Sequence, residues 1–284
     1  MPTSLGLPDG VNALPALPLP QGPIGPGAAL AAVRARLGLV LLLFGLAGVQ
    51  WWWTVREMTG MDAGPWTALG SSGWFVGVWT VMMAAMMFPS VAPTVALYAR
   101  MASARAPLAP LAFTAGYLFV WVAAGVAALA IAIGVGALVG DALAWDRAGR
   151  PLTGVTLMVA AAYEFTPLKE VCLGKCRSPL GFLLSTWRDG WRGGLQMGSK
   201  HGAWCLGCCW ALMASLFALG VMSVLWMALV AGLIAAEKLL PWRRSATYAT
   251  AGILLVLGVL AVAAPDAIPG LTIPGSSMDP QMTG

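Results

Sequence analysis

The sequence predicts an all-α fold, a polytopic bundle of about seven transmembrane helices. Three observations carry that expectation. Of the 284 residues, 59% are hydrophobic and only 10% are charged, against about 25% charged in a soluble domain. The mean hydropathy is +0.81. The apolar residues gather into runs near the length a bilayer crossing needs, about 20 residues. Such a composition excludes a water-soluble enzyme. The five cysteines are too few for a disulfide scaffold, and glycine shows no collagen-like period.

The elements follow in order. Residues 1–30, with the Pro/Gly-rich stretch LPALPLPQGPIGPG, read as a disordered arm without a signal peptide. Residues 31–264 form the transmembrane domain, and residues 265–284 a flexible tail. The expected spans are 37–53, 74–98, 108–138, 152–168, 204–219, 222–237 and 246–264. The alternative is six spans plus a re-entrant pair formed by the short fifth and sixth runs. Thirteen of the sixteen Lys and Arg then fall on one side, and only Arg56, Arg147 and Arg150 on the other. Positive charge stays in the cytoplasm, so the N-terminus is cytoplasmic. Tryptophans such as Trp51, Trp74, Trp204 and Trp242 sit near span ends, as an interfacial belt requires. The segment 169–203 becomes the longest inner loop, with an amphipathic stretch at 179–191 lying along the membrane.

The chemistry is concentrated in sulfur. All five cysteines, Cys172, Cys176, Cys205, Cys208 and Cys209, lie within 38 residues. They form C-x-x-x-C and C-x-x-C-C groups, both expected at the cytoplasmic membrane boundary. Thiols there stay reduced, so clustered cysteines read as soft-metal ligands or redox thiols, whereas a lone cysteine is ordinary packing. Cys205, Cys209 and Met213 are spaced i, i+4, i+8 and make one stripe on a helix, with Cys208 beside them. His201, the only histidine, lies one turn earlier. It is either a further ligand or a polar surface residue.

The second span carries Met82, Met83, Met86 and Met87, two pairs at i, i+4. Thioethers suit Cu(I) and stay neutral in a membrane, but methionine is also a common gap-filler. The run begins about 12 Å from the outer end of its span, at about 1.5 Å per residue. Met213 lies at a similar depth from the inner end, so the two sulfur groups are able to meet. Pro89 and Pro93 weaken the helix that follows, with Ser90 or Thr94 available to compensate. Glu164 is the main intramembrane acid, and Lys169 is its expected partner across Pro167. Glu237 and Lys238 are expected to pair at the interface.

Several classes are excluded by what the sequence lacks. It has no Walker A loop, no second histidine for a His-based metal or haem site, and no nucleophile–His–Asp arrangement. It has no dense basic stripe for nucleic acid. The expectation is therefore a non-enzyme.

Four stretches resemble a known family. They are the run Trp79 to Ser90 (WTVMMAAMMFPS), Thr166-Pro167-Leu168-Lys169 with Cys172 and Cys176, Gly202 with the run Cys205 to Met213, and Glu237-Lys238. Over residues 40–262 the chain resembles the bacterial predicted metal-binding integral membrane proteins, a domain of unknown function with a copper-chaperone-like label. The resemblance implies a multi-pass protein of the bacterial inner membrane that binds metal, most plausibly copper. Glu164 stands where the resemblance suggests a neutral residue such as Gln, which puts a charge beside the site.

The sequence thus points to Cu(I) handling, by transport or by delivery to a copper enzyme. Cys205, Cys208, Cys209, Cys172 and Cys176 form the inner site, and Met82, Met83, Met86 and Met87 the membrane site. Zn(II) is the alternative ion, since four thiolates suit it. The partners are the lipid bilayer and a copper-dependent enzyme or a soluble copper carrier. A membrane thiol–disulfide enzyme and a structural assembly partner are the competing readings.

Overall fold

A computed structural model describes residues 26–58, 71–102, 106–139, 148–220 and 223–268. The expected N-terminal arm and C-terminal tail fall almost wholly outside these residues. The described chain is helical: α1 (Pro26–Met58), α2 (Ser72–Met101), α3 (Ala109–Val139), α4 (Arg150–Tyr163), α5 (Pro167–Arg177), α6 (Pro179–Thr186), α7 (Gly190–Leu219), α8 (Val224–Leu239) and α9 (Arg243–Ala263). A short 3-10 turn, Pro265–Ala267, follows. The described residues from Arg36 onward form one compact unit. Among the described residues, four helices are long and apolar enough to cross a membrane: Ser72–Met101, Ala109–Leu138, Gly190–Leu219 and Arg244–Ala263.

α7 is the axis of the core. It packs along α3, α4 and α5, while α4 also pairs with α9. Small residues set the α3–α7 approach. A Cβ on Gly194 would meet the Ala109 carbonyl oxygen at 2.5 Å, and one on Gly202 the Tyr117 carbonyl oxygen at 2.9 Å. Between them, Gly198 lies hard against the Phe113 backbone. Glycines four apart line up on one face, so the two backbones can touch. Ser199 adds a hydrogen bond to the Gly116 carbonyl at 3.2 Å.

α2 is fixed at both levels. Ser71 caps it by accepting from the Trp74 amide, and the Trp79 indole donates to the Trp121 carbonyl of α3 at 2.8 Å. Pro89 and Pro93 are both inside this helix. Ser90, one of the two expected compensators, donates to the Met87 carbonyl at 2.8 Å.

The fourth and fifth expected spans need correction. The helix of the fourth ends at Tyr163, and the chain turns at Glu164–Thr166 before α5 begins. Pro167 causes this: it disfavours a helical residue before it, and Thr166 caps the new helix by accepting from the Lys169 amide. The expected inner loop at 169–203 is not a loop. It contains α5, α6 and the first half of α7, so the helix of the fifth span begins at Gly190 rather than at 204. Glycine suits that start, because Gly190 adopts a φ of 75°. The amphipathic stretch at 179–191 is partly realised as α6, which buries Phe182 and Leu183.

Three charged side chains pull the broken helix onto α8. Lys169, only 1% exposed, bonds both Glu164 and Glu237. The Glu164 partner is the expected one. Glu237 corrects the expected interfacial pair: it is buried, and its carboxylate takes the Lys169 ammonium with oxygens at 2.8 and 3.0 Å. Nearby, the Arg177 guanidinium bonds the Glu237 and Leu240 carbonyls at the end of α8. A cation there satisfies orphan carbonyls and complements the helix dipole.

Two outcomes follow, both read by thermal unfolding of the purified full chain. Lys169→Met strands two buried carboxylates and is expected to cost about 3–5 kcal/mol; adding Glu164→Gln and Glu237→Gln restores most of the loss. Gly198→Ala forces α3 and α7 apart and is expected to cost about 1–3 kcal/mol, whereas Gly134→Ala, which meets nothing within 4 Å, leaves the midpoint unchanged.

Candidate functional site

The helix α7 brings its sulfur to the middle of the fold. Cys205, Cys208 and Cys209 lie near the centre of its 30 residues and are each at most 2% exposed. This corrects their expected place at the start of a helix, which rested on a helix start at 204. The i, i+3, i+4 spacing puts the three thiols on one face. The thiols of Cys208 and Cys209 donate back to the Cys205 carbonyl at 3.1 and 2.8 Å.

α5 supplies the opposing wall. Cys172 packs on Gly207, where an added Cβ would meet its sulfur at 2.7 Å. One turn on, Cys176 faces Cys208, whose thiol donates to it at 3.8 Å. Among the described residues, Cys176, Cys205 and Cys208 are a group whose sulfur atoms all lie within 4.8 Å of one another. Cys172, Cys209 and His201 stand outside that group. All five thiols are free.

Polar groups from two further helices converge on Cys205. Its sulfur is hydrogen-bonded to the Tyr117 hydroxyl of α3 at 3.0 Å. It also receives the Lys238 ammonium of α8 at 3.0 Å. The same ammonium reaches Ser90 Oγ at 3.4 Å and Met87 Sδ at 3.8 Å. Met87 of α2 is thus joined to the cysteine group through one cation. Met82, Met83, Met86 and Met213 are buried in the same continuous core.

His201 is 3% exposed, which excludes the surface alternative. Its ring packs among Phe113, Tyr117 and Phe182, at 5.9, 6.0 and 4.9 Å between centroids, and Nδ1 has no hydrogen-bond partner. It supports the Tyr117 side of the site from one turn below Cys205.

Two residues were missed as site members, Tyr117 and Lys238. A signal for Lys238 existed. Neighbours in a helix point about 100° apart and do not face each other, so adjacent Glu237 and Lys238 must serve different partners. Tyr117 carried no comparable signal, because an aromatic in an apolar helix is usually core.

Chemically the centre offers soft sulfur from two helices, a thioether close by, and a single ammonium. Such donors suit soft ions. A family model described as PpoB2, copper chaperone, matches residues 76–261, more than half of the chain. No curated protein and no solved structure matches it. The matched stretch contains the whole cysteine group together with Met87, Ser90, Tyr117 and Lys238, and its geometry fits copper handling. The chain belongs to the PpoB2 copper chaperone family.

Proposed function

We propose that the protein is a multi-pass membrane protein that holds Cu(I) and delivers it to a copper-dependent partner. The reading is carried by the convergence of Cys176, Cys205 and Cys208 within 4.8 Å from two helices. In it, these three sulfurs are the primary ligands. Met87 is the adjacent thioether, and Cys172, Cys209, Met82, Met83, Met86, Met213 and His201 form the surrounding shell. Cu(I) fits better than Zn(II), because structural zinc takes four ligands, whereas the fourth place near Cys205 goes to an ammonium.

The membrane setting is supported by the outward faces. α1 presents Leu37, Leu41, Phe44 and Trp52, and α3 presents Leu111, Phe119, Ile131 and Ile133. Exposed apolar faces of that extent suit lipid. We retain an inner-membrane protein with a cytoplasmic N-terminus and about seven crossings. In that topology α4, only 14 residues long, completes its crossing with α5 beyond the break. The charge count is reduced, since Lys169 and Lys238 point into the core rather than into a loop.

The test is metal content and affinity of the full chain in detergent under reducing conditions. Wild type is expected to bind one Cu(I) and to retain it against a chelator. Cys205→Ser is expected to lower the affinity at least about 100-fold, since a lost ligand must exceed the 10- to 100-fold effect of a supporting group. Met87→Leu is expected to weaken binding by less, and Cys172→Ser to leave the stoichiometry intact. Equal copper content in wild type and in the Cys176/Cys205/Cys208→Ser variant overturns the assignment.

A further inference from the structure

The buried cluster that holds α5 against α8 carries a surplus charge that its structural role does not use. Lys169 carries one positive charge, and Glu164 and Glu237 carry two negative ones when ionised. All three side chains are 3% exposed or less. Glu237 places both of its oxygens on the ammonium, at 3.0 and 2.8 Å. Glu164 places only Oε2 there, and its Oε1 has no partner. Beside the cluster, at the α4–α5 break, is a cavity of about 400 Å³ lined by Glu164, Thr166, Lys169, Glu170, Arg244 and Tyr248.

We propose that the Glu164–Lys169–Glu237 cluster is a proton-binding site, with one exchangeable proton on Glu164 Oε1 that reaches solvent through the cavity at the α4–α5 break.

Charge counting supports this. A surplus negative charge in an apolar interior is costly, and two carboxylates crowded on one site do not both stay ionised. One proton makes the cluster neutral. Glu164 is the acceptor, because it alone keeps an oxygen off the ammonium. A proton fits where a metal ion does not: Oε1 has essentially no accessible surface, whereas a hard cation needs several oxygen ligands around it. The other charged groups do not remove the surplus. Arg177 is engaged with the carbonyls ending α8. On the cavity wall Glu170 and Arg244 have opposite signs, and Tyr248 is uncharged at neutral pH. On α8, the Lys238 ammonium is turned to Cys205, Ser90 and Met87.

The test needs no copper, so it stands or falls apart from the copper assignment. Infrared spectra of the full chain in detergent, at neutral pH, are compared for wild type, Glu164→Gln and Glu237→Gln. The expected result is a protonated-carboxyl C=O band in wild type that shifts in D2O and fades on alkalinisation. Each single variant is expected to lose it, because either one leaves a neutral pair with Lys169. If a variant fails to fold, wild type is treated with a hydrophobic carbodiimide, which attacks protonated carboxyls, and the adduct is mapped by mass spectrometry. An adduct on Glu164 supports the site. A wild type without the band at any pH, a band that persists in Glu164→Gln, or a carbodiimide map without Glu164 or Glu237 overturns it.

Discussion

The ammonium of Lys169 decides where the thiols meet. Pro167 separates α5 from α4, and a short helix inside an apolar bundle has no reason of its own to lie in one place. The two carboxylates around Lys169 provide that reason, one from the break and one from α8. Position follows from charge here because an unpaired buried ion is so unfavourable that misplaced arrangements are not populated. With α5 fixed against α7, Cys176 comes opposite Cys208.

α8 then divides two jobs between consecutive residues. Glu237 turns to Lys169, and Lys238 turns to Cys205, Ser90 and Met87. A helix cannot point neighbours in one direction, so this dipeptide joins an ion cluster to a sulfur cluster across one element. The Lys238 ammonium also bears on the proposed Cu(I) reading. It stands 3.0 Å from the Cys205 sulfur, and in that reading an ion content with few soft ligands suits the centre better than a divalent ion seeking four donors.

Much of this was legible in the residues. Composition and run length gave the helical bundle, and the spacing of Cys205, Cys208 and Cys209 gave one thiol face on a helix. The Glu164–Lys169 pair was readable because the two residues flank Pro167. The failures share a cause. Hydropathy treats Gly190, Trp191, Arg192 and Lys200 as loop residues, yet α7 runs straight through them because Gly194, Gly198 and Gly202 pack on α3. That is tertiary context, which overrides local polarity and moves the thiols from the start of a helix to its middle. Lys238 was hidden for a similar reason. A lysine at the end of an apolar run looks interfacial unless a distant thiol is known to face it.

The thiol group is also less self-sufficient than its motif suggests. The C-x-x-C-C run on α7 brings only two of the three close sulfurs, Cys205 and Cys208. The third comes from α5, a helix of 11 residues, and helices shorter than about 12–15 residues are marginal on their own. α5 is therefore held by what it touches: Cys172 against Gly207, Lys169 between its carboxylates, and Arg177 at the end of α8. The geometry of the centre depends on contacts at both ends of α5. A substitution at Lys169 or Arg177 thus acts on Cys176 by moving its helix, although neither side chain is part of the close thiol group.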